Sequence, residues 1–274
     1  MKNDATRPVD PYHTIAGLYD LEHDPFHDDI DLLVMLANAV GDPILEMGCG
    51  SGRILLPLAD AGFRVVGLDS SPTMLDRARA RLSETNAESK VTLHPGDMED
   101  ATLAPGGPFG MVIFSLNSLM HLYTQESQVT ALRNAYRALD PRGQLVIDIA
   151  NPGPDYLSSL AAAPTLEWSS QLADGSAVDK WTHRKIRHVD QVIETTIWYD
   201  TASTEGVLSR LRTSFDLRYV HYGELRLMLD QAGFTDTRAY GSYELDPLDD
   251  GSDRIFITAE ATPGPGIDVD DDRD

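Results

Sequence analysis

The 274 residues hold a single cysteine, Cys49. No intramolecular disulfide can form, and the chain reads as one from a reducing, cytoplasmic setting. Basic residues are scarce: 22 Lys and Arg stand against 44 Asp and Glu, a formal net charge of −22. Nucleic acid and anionic membrane are poor partners for such a chain, because binding to either rests on clustered cations. No apolar run approaches the ~20 residues of a membrane span. Residues 1–11 are polar, carry Pro8 and Pro11, and lack the apolar region of a secretory signal. Also missing are a fixed-period repeat, a Cys-rich metal pattern, a phosphate-loop lysine and a Ser-His-Asp set on a nucleophile elbow. His23 and His27 stand four apart with Asp24 and Asp28 nearby, but Pro25 breaks the helix that would align them, so no metal site is expected.

What remains is 42% hydrophobic, enough for one good-sized core with an insertion or for two small ones. The organising stretch is ILEMGCGSG at 44–52, where three glycines at alternate positions follow an apolar run and an acid. A helical apolar spacing follows over 53–62, then a second strand at 63–69 that ends in Asp69. This is a βαβ unit with its acid about 20 residues past the glycines, the spacing that grips a ribose diol. A dinucleotide fingerprint needs glycine where Arg53 stands. Glu46 at the strand end has the wrong sign for a pyrophosphate and the right one for a ligand bearing an ammonium and a sulfonium. Further strands are expected at 90–94, 109–118 and 144–150, with helices at 70–82 and 125–139 between them, which indicates a parallel sheet wound on both faces. Arg77, Arg79 and Arg81 alternate along the first of those helices and read as a solvated surface. Pro57 is out of place in its helix unless that helix begins late. From 165 to 219 the helical period gives way to four strand-like runs joined by turn residues, an antiparallel insert that contains Trp168, Trp181 and Trp198.

On the E-x-G-x-G-x-G loop, Asp69, the G-D-M element at 96–98 and the L-x-P-x-G turn at 139–143, the chain resembles the class I S-adenosylmethionine (SAM)-dependent methyltransferases of the small-molecule N- and O-type. The resemblance implies an α/β fold: a seven-stranded, doubly wound, Rossmann-like sheet with the inserted antiparallel β lid. It implies a helical cap over 1–40, a SAM-binding core over 41–152, an acceptor lid over 153–219, the end of the core over 220–261 and a disordered acidic tail over 262–274. The cofactor residues it implies are Glu46, Gly48, Gly50, Gly52 and Arg53 on the loop and Asp69, Ser70 and Met74 after the second strand. Asp97 and Met98 would hold the adenine, and Ser115 and Leu116 would lie near the methyl group. Tyr19 is the candidate from the cap, with Tyr12 second; packing on the helix at 30–40 is the alternative role. His121, with Asn117 four residues before it, is a candidate general base or acceptor-positioning residue; the alternative is a cap at the helix start. The expected function is methyl transfer from SAM to a nitrogen or oxygen of a small molecule, an amino sugar or another secondary metabolite, by a monomer or homodimer. A non-catalytic SAM-binding regulator and an NAD(P)-dependent oxidoreductase remain as alternatives.

Overall fold

A computed structural model describes residues 10–100, 104–160, 163–234 and 236–261. The acidic tail foreseen from the sequence lies outside the described residues. The chain runs α1 (Ala16–His23), α2 (Ile30–Val40), β1 (Ile44–Met47), α3 (Leu55–Asp60), β2 (Val65–Asp69), α4 (Pro72–Ser83), β3 (Val91–Pro95) and β4 (Phe109–Phe114). It continues through α5 (Gln125–Ala138), β5 (Leu139–Ala150) and α6 (Pro154–Ser159) into four strands, β6 (Thr165–Gln171), β7 (Ala177–Arg187), β8 (Val192–Ala202) and β9 (Leu208–Arg218). It closes with α7 (Tyr222–Ala232), β10 (Asp236–Tyr240) and β11 (Arg254–Glu260).

Seven strands form one sheet in the order β10-β11-β5-β4-β1-β2-β3. The five strands from β3 to β5 are parallel, while β11 runs antiparallel to β5 and β10 antiparallel to β11. Every residue of β1 and β4 is buried, which explains why apolar residues fill them apart from Glu46: a parallel strand covered on both faces has no polar side to alternate. Strand parity divides the core. Leu45 and Met47 pack on the face covered by α5 and α7, and Ile44 packs on the face covered by α2, α3 and α4. The strand order reverses between β1 and β4, so a crevice opens beyond their carboxyl ends, the usual ligand position in such sheets.

Local chemistry agrees with the helix ends. Ser71 caps α4, its Oγ accepting from the Met74 N–H, with Pro72 in the first turn. The helix containing Pro57 begins at Leu55, so its ring sits in the first turn, where no intrahelical N–H is needed. The arginine run departs from the sequence reading. Arg77 and Arg81 lie one turn apart and face α1, pairing with Asp20 and Asp24, and only Arg79 pairs outward with Asp76. They hold α1 against the sheet domain. The inserted strands form a separate antiparallel sheet, β6-β7-β8-β9, whose inner side packs on the N-terminal segment through Ile15, Val178, Ile197 and Tyr199.

Candidate active site

Two adjoining cavities lie between the sheet's crevice and the inserted strands. The first, of about 270 Å³, is built on the turn after β1. Gly50 has φ +54°, a conformation that L side chains rarely adopt, and the ligand side of its Cα is nearly open, with only Met74 Cε within contact range. Its N–H donates to Asp69 Oδ2 at 2.8 Å, while the Ser71 N–H donates to Oδ1 at 2.8 Å. This pair of bonds is the physical content of the glycine-to-acid spacing. Burial pushes the Asp69 carboxyl up, and the two N–H groups pull against that. Ser71 Oγ donates in turn to Asp10 at 2.6 Å, which puts a second acid at the mouth of the cavity.

Glu46 is 2% exposed. Its Oε1 accepts from Ser115 Oγ at 2.7 Å, and its Oε2 is buried without a partner among the described residues, as is Ser118 Oγ. Buried polar atoms are normally bonded, so these two mark places for ligand groups. Burial raises the Glu46 carboxyl to about 8. Gly48, Ser70, Asp97, Met98 and Leu116 line the same cavity, as does Tyr19 from α1. Arg53 lines it too, but its guanidinium is committed to Asp29 at 2.8 and 2.5 Å and to the Phe26 carbonyl at 3.0 Å. Gly52 does not line the cavity. A Cβ there would meet Ala78 at 3.4 Å, an ordinary contact, and it is the backbone φ of +84° that calls for glycine.

The second cavity, of about 180 Å³, lies under the inserted sheet and shares Tyr12, Tyr19, Leu116 and His121 with the first. The Tyr12 hydroxyl is 3.1 Å from His121 Nε2, and both rings approach Phe215 of β9. Burial holds His121 down at about 4, and it pushes the Tyr12 and Tyr19 hydroxyls up. Both phenols therefore stay protonated and the imidazole neutral around pH 7. Asn117 lines only this second cavity. It takes a left-handed conformation before a 3-10 turn, Ser118–His121, and its Oδ1 accepts from the Ala150 N–H at 2.7 Å, tying the ends of β4 and β5 together.

Sequence reasoning missed the cavity-lining residues Asp10 and Ser71, and Lys180, Arg184, Thr195 and Phe215 of the inserted strands. Asp10 precedes any regular element. The last four were marked only by alternation along strands whose register was unknown. Among the described residues no group of three His, Cys, Asp or Glu side chains could hold a metal ion, and no helix is long and apolar enough to cross a membrane.

A family model described as a methyltransferase domain matches residues 44–143. The chain is 26% identical over 228 residues to a cypemycin N-terminal methyltransferase from a Streptomyces species, spanning 80% of this chain and 83% of the other. It is 31% identical to a dTDP-3-amino-3,6-dideoxy-alpha-D-glucopyranose N,N-dimethyltransferase of Streptomyces fradiae, over 62% of this chain and 64% of that one. With some other curated relatives the chain spans only 39 to 55% of their length. The solved structure of the CcbJ methyltransferase from Streptomyces caelestis superposes with a TM-score of 0.76 at 26% identity, covering 93% of this chain and all of that one.

Proposed function

This chain belongs to the class I SAM-dependent methyltransferases, and from that premise we propose that it methylates the nitrogen of a small molecule held in the second cavity. The observation that carries the reading is the shared wall: Tyr12, Tyr19, Leu116 and His121 face the cofactor cleft on one side and the space under the lid on the other.

The first cavity fits the cofactor on its own chemistry. The unpartnered Glu46 oxygen suits the cofactor's ammonium, the Asp69 carboxylate suits a ribose diol, and Asp97 with Met98 gives a polar and an apolar wall for a base. SAM supplies a methyl group on a sulfonium; the acceptor's lone pair forms the new bond to carbon as the carbon–sulfur bond breaks, and that bond's electron pair stays on sulfur. The protein's part is placement and exclusion of water, which together can account for much of the acceleration. Tyr12 and Tyr19 close the cleft from the N-terminal side, with the Tyr12 hydroxyl oriented by His121. A nitrogen acceptor is favoured over oxygen by that histidine. Its lowered pKa of about 4 makes it a poor base for a hydroxyl at neutral pH, where catalytic efficiency asks for a value near 7. An amine needs only to enter neutral, and one proton leaves the methylated nitrogen for solvent. Amino sugars are among the acceptors that meet this description.

The test pairs binding with turnover. Calorimetry should show SAM and S-adenosylhomocysteine bound and NADPH not bound, and an amine library incubated with SAM should give products 14 mass units heavier. Tight NADPH binding would favour an oxidoreductase, and SAM binding with no methylated product from any amine would favour a regulator.

A further inference from the structure

Strand alternation decides what the lid shows to the second cavity. Lys180 stands opposite Tyr199, and Arg184 opposite Thr195, on neighbouring strands of one face. In a chain with twice as many acids as bases, two cations, Lys180 and Arg184, thus line a single cavity. Their shared counter-ion, Glu167 on β6, lies 3.0 Å from Lys180 and 2.6 Å from Arg184 but outside the cavity lining. Glu22 of α1 completes the row, 2.5 Å from Lys180. The charges therefore alternate as Glu22, Lys180, Glu167, Arg184. The negative end of the row lies on α1, which also carries Tyr19, and the positive end is Arg184.

The second observation is Thr195. It is 4% exposed, it lines the cavity across from Arg184, and its Oγ1 has no partner among the described residues. A buried hydroxyl left unbonded is costly, so this one marks the place of a group that accepts its proton.

Resting on the assignment of the second cavity to the acceptor, we propose that Arg184 and Thr195 form an anion subsite for the acceptor's carboxylate, so that the substrate is a small amine of the amino- or imino-acid class. Arg184 Nη1 is held by Glu167 and by the Thr182 hydroxyl, which leaves its other N–H groups to meet a carboxylate. The charged groups lining the cavity are Glu22, Lys180 and Arg184, with His23 held down by burial, and Glu167 behind the two cations brings the row to neutrality before an acceptor enters. A balanced row takes up one added negative charge at its Arg184 end more readily than the two of a phosphate dianion. The amine end then points back toward Glu22 and the wall that carries Tyr12, Tyr19 and His121, where the methyl group is delivered.

The full chain loaded with S-adenosylhomocysteine is titrated calorimetrically with primary and secondary α-amino acids, and in parallel with their carboxamides, their decarboxylated amines and neutral amino sugars. The same compounds are incubated with SAM and read by mass. At least one acid should bind and be methylated, with a preference of roughly 10- to 100-fold over its carboxamide. Thr195→Val keeps the side chain's shape and should cut that preference by about 10-fold. Arg184→Gln should cut it further, raising KM for the acid more than it lowers kcat, with SAM affinity as the control for folding. Binding and turnover confined to carboxamides, amines or amino sugars would overturn the subsite while leaving the methyltransferase reading intact. So would an enzyme that holds S-adenosylhomocysteine but no acid, or an acid preference that survives both substitutions. Failure of SAM and S-adenosylhomocysteine to bind at all would overturn the parent reading, and this one with it.

Discussion

Replacing Glu46 with Gln isolates the buried carboxylate oxygen that has no partner in the cofactor cleft. In the ligand-free protein, burial raises this carboxyl to about 8, so at pH 7 roughly nine molecules in ten carry the proton. In the proposed seat the ammonium of SAM pairs with the ionised form, so binding should release that proton. Below about pH 7 most of the ligand's own amino groups stay charged, which leaves Glu46 as the main titrating partner. The dissociation constant for SAM should then rise about tenfold from pH 7 to pH 6. Calorimetry in buffers of different ionisation heat should find ~0.9 proton released per SAM at pH 7. A hydrogen bond to a charged group is worth roughly 1.5–3 kcal/mol, and ionising Glu46 at pH 7 takes back about 1.4 of that. Glu46→Gln should accordingly weaken SAM by about tenfold or less at pH 7, lose the proton release, and come close to wild type at pH 6. The ligand-free protein has a matching signature. A folded-state value above the unfolded 4.5 means that the folded chain holds an extra proton between about 4.5 and 8, so its stability declines as pH rises through that window. Glu46→Gln should lack that decline. A SAM affinity flat from pH 6 to 7.5 with no proton release, or the same slope in the variant, would refute the reasoning.

Asp69→Ala removes the acceptor of the Gly50 and Ser71 N–H groups as well as the ribose contact, and SAM should bind on the order of 100-fold or more weakly by calorimetry. Gly50→Val puts a β-branched side chain at φ +54° and should abolish SAM binding while circular dichroism still reports a folded chain; normal binding would remove the turn from the cofactor seat. Because burial holds His121 near 4, its neutral form persists well into acid, so at saturating SAM and acceptor any acid fall in kcat should be the same in the wild type and in His121→Ala. Removing the ring in His121→Ala releases the Tyr12 hydroxyl and should lower turnover with SAM affinity nearly unchanged; a fall near pH 6.5, at saturating SAM and acceptor, that the wild type shows and the variant lacks would contradict the buried, Tyr12-bonded ring.

The cofactor half of the site was legible along the chain because its signals are local. Glycines at 48 and 50 mark backbone with positive φ, Glu46 sits at a strand end, and Asp69 closes the βαβ unit whose turn it then bonds. Alternating apolar and helical periods likewise announced the five parallel strands and the antiparallel insert, since each element carries its own period, while the count of seven came from the resemblance. Local pattern stops where partners come from far along the sequence. Gly52 shares the loop's spacing and its positive φ yet lies outside the cavity lining, a distinction made only by the folded turn. Arg77 and Arg81 read as solvent-facing until α1 folded over them and offered Asp20 and Asp24 from 57 residues away. The acceptor side was decided wholly by tertiary structure. Lys180, Arg184 and Thr195 sit on strands whose alternation is visible, but a shift of one residue in register would turn all three to the outer face. The pairing of β7 with β8, and the seating of that sheet over Tyr12 and His121, turns them inward.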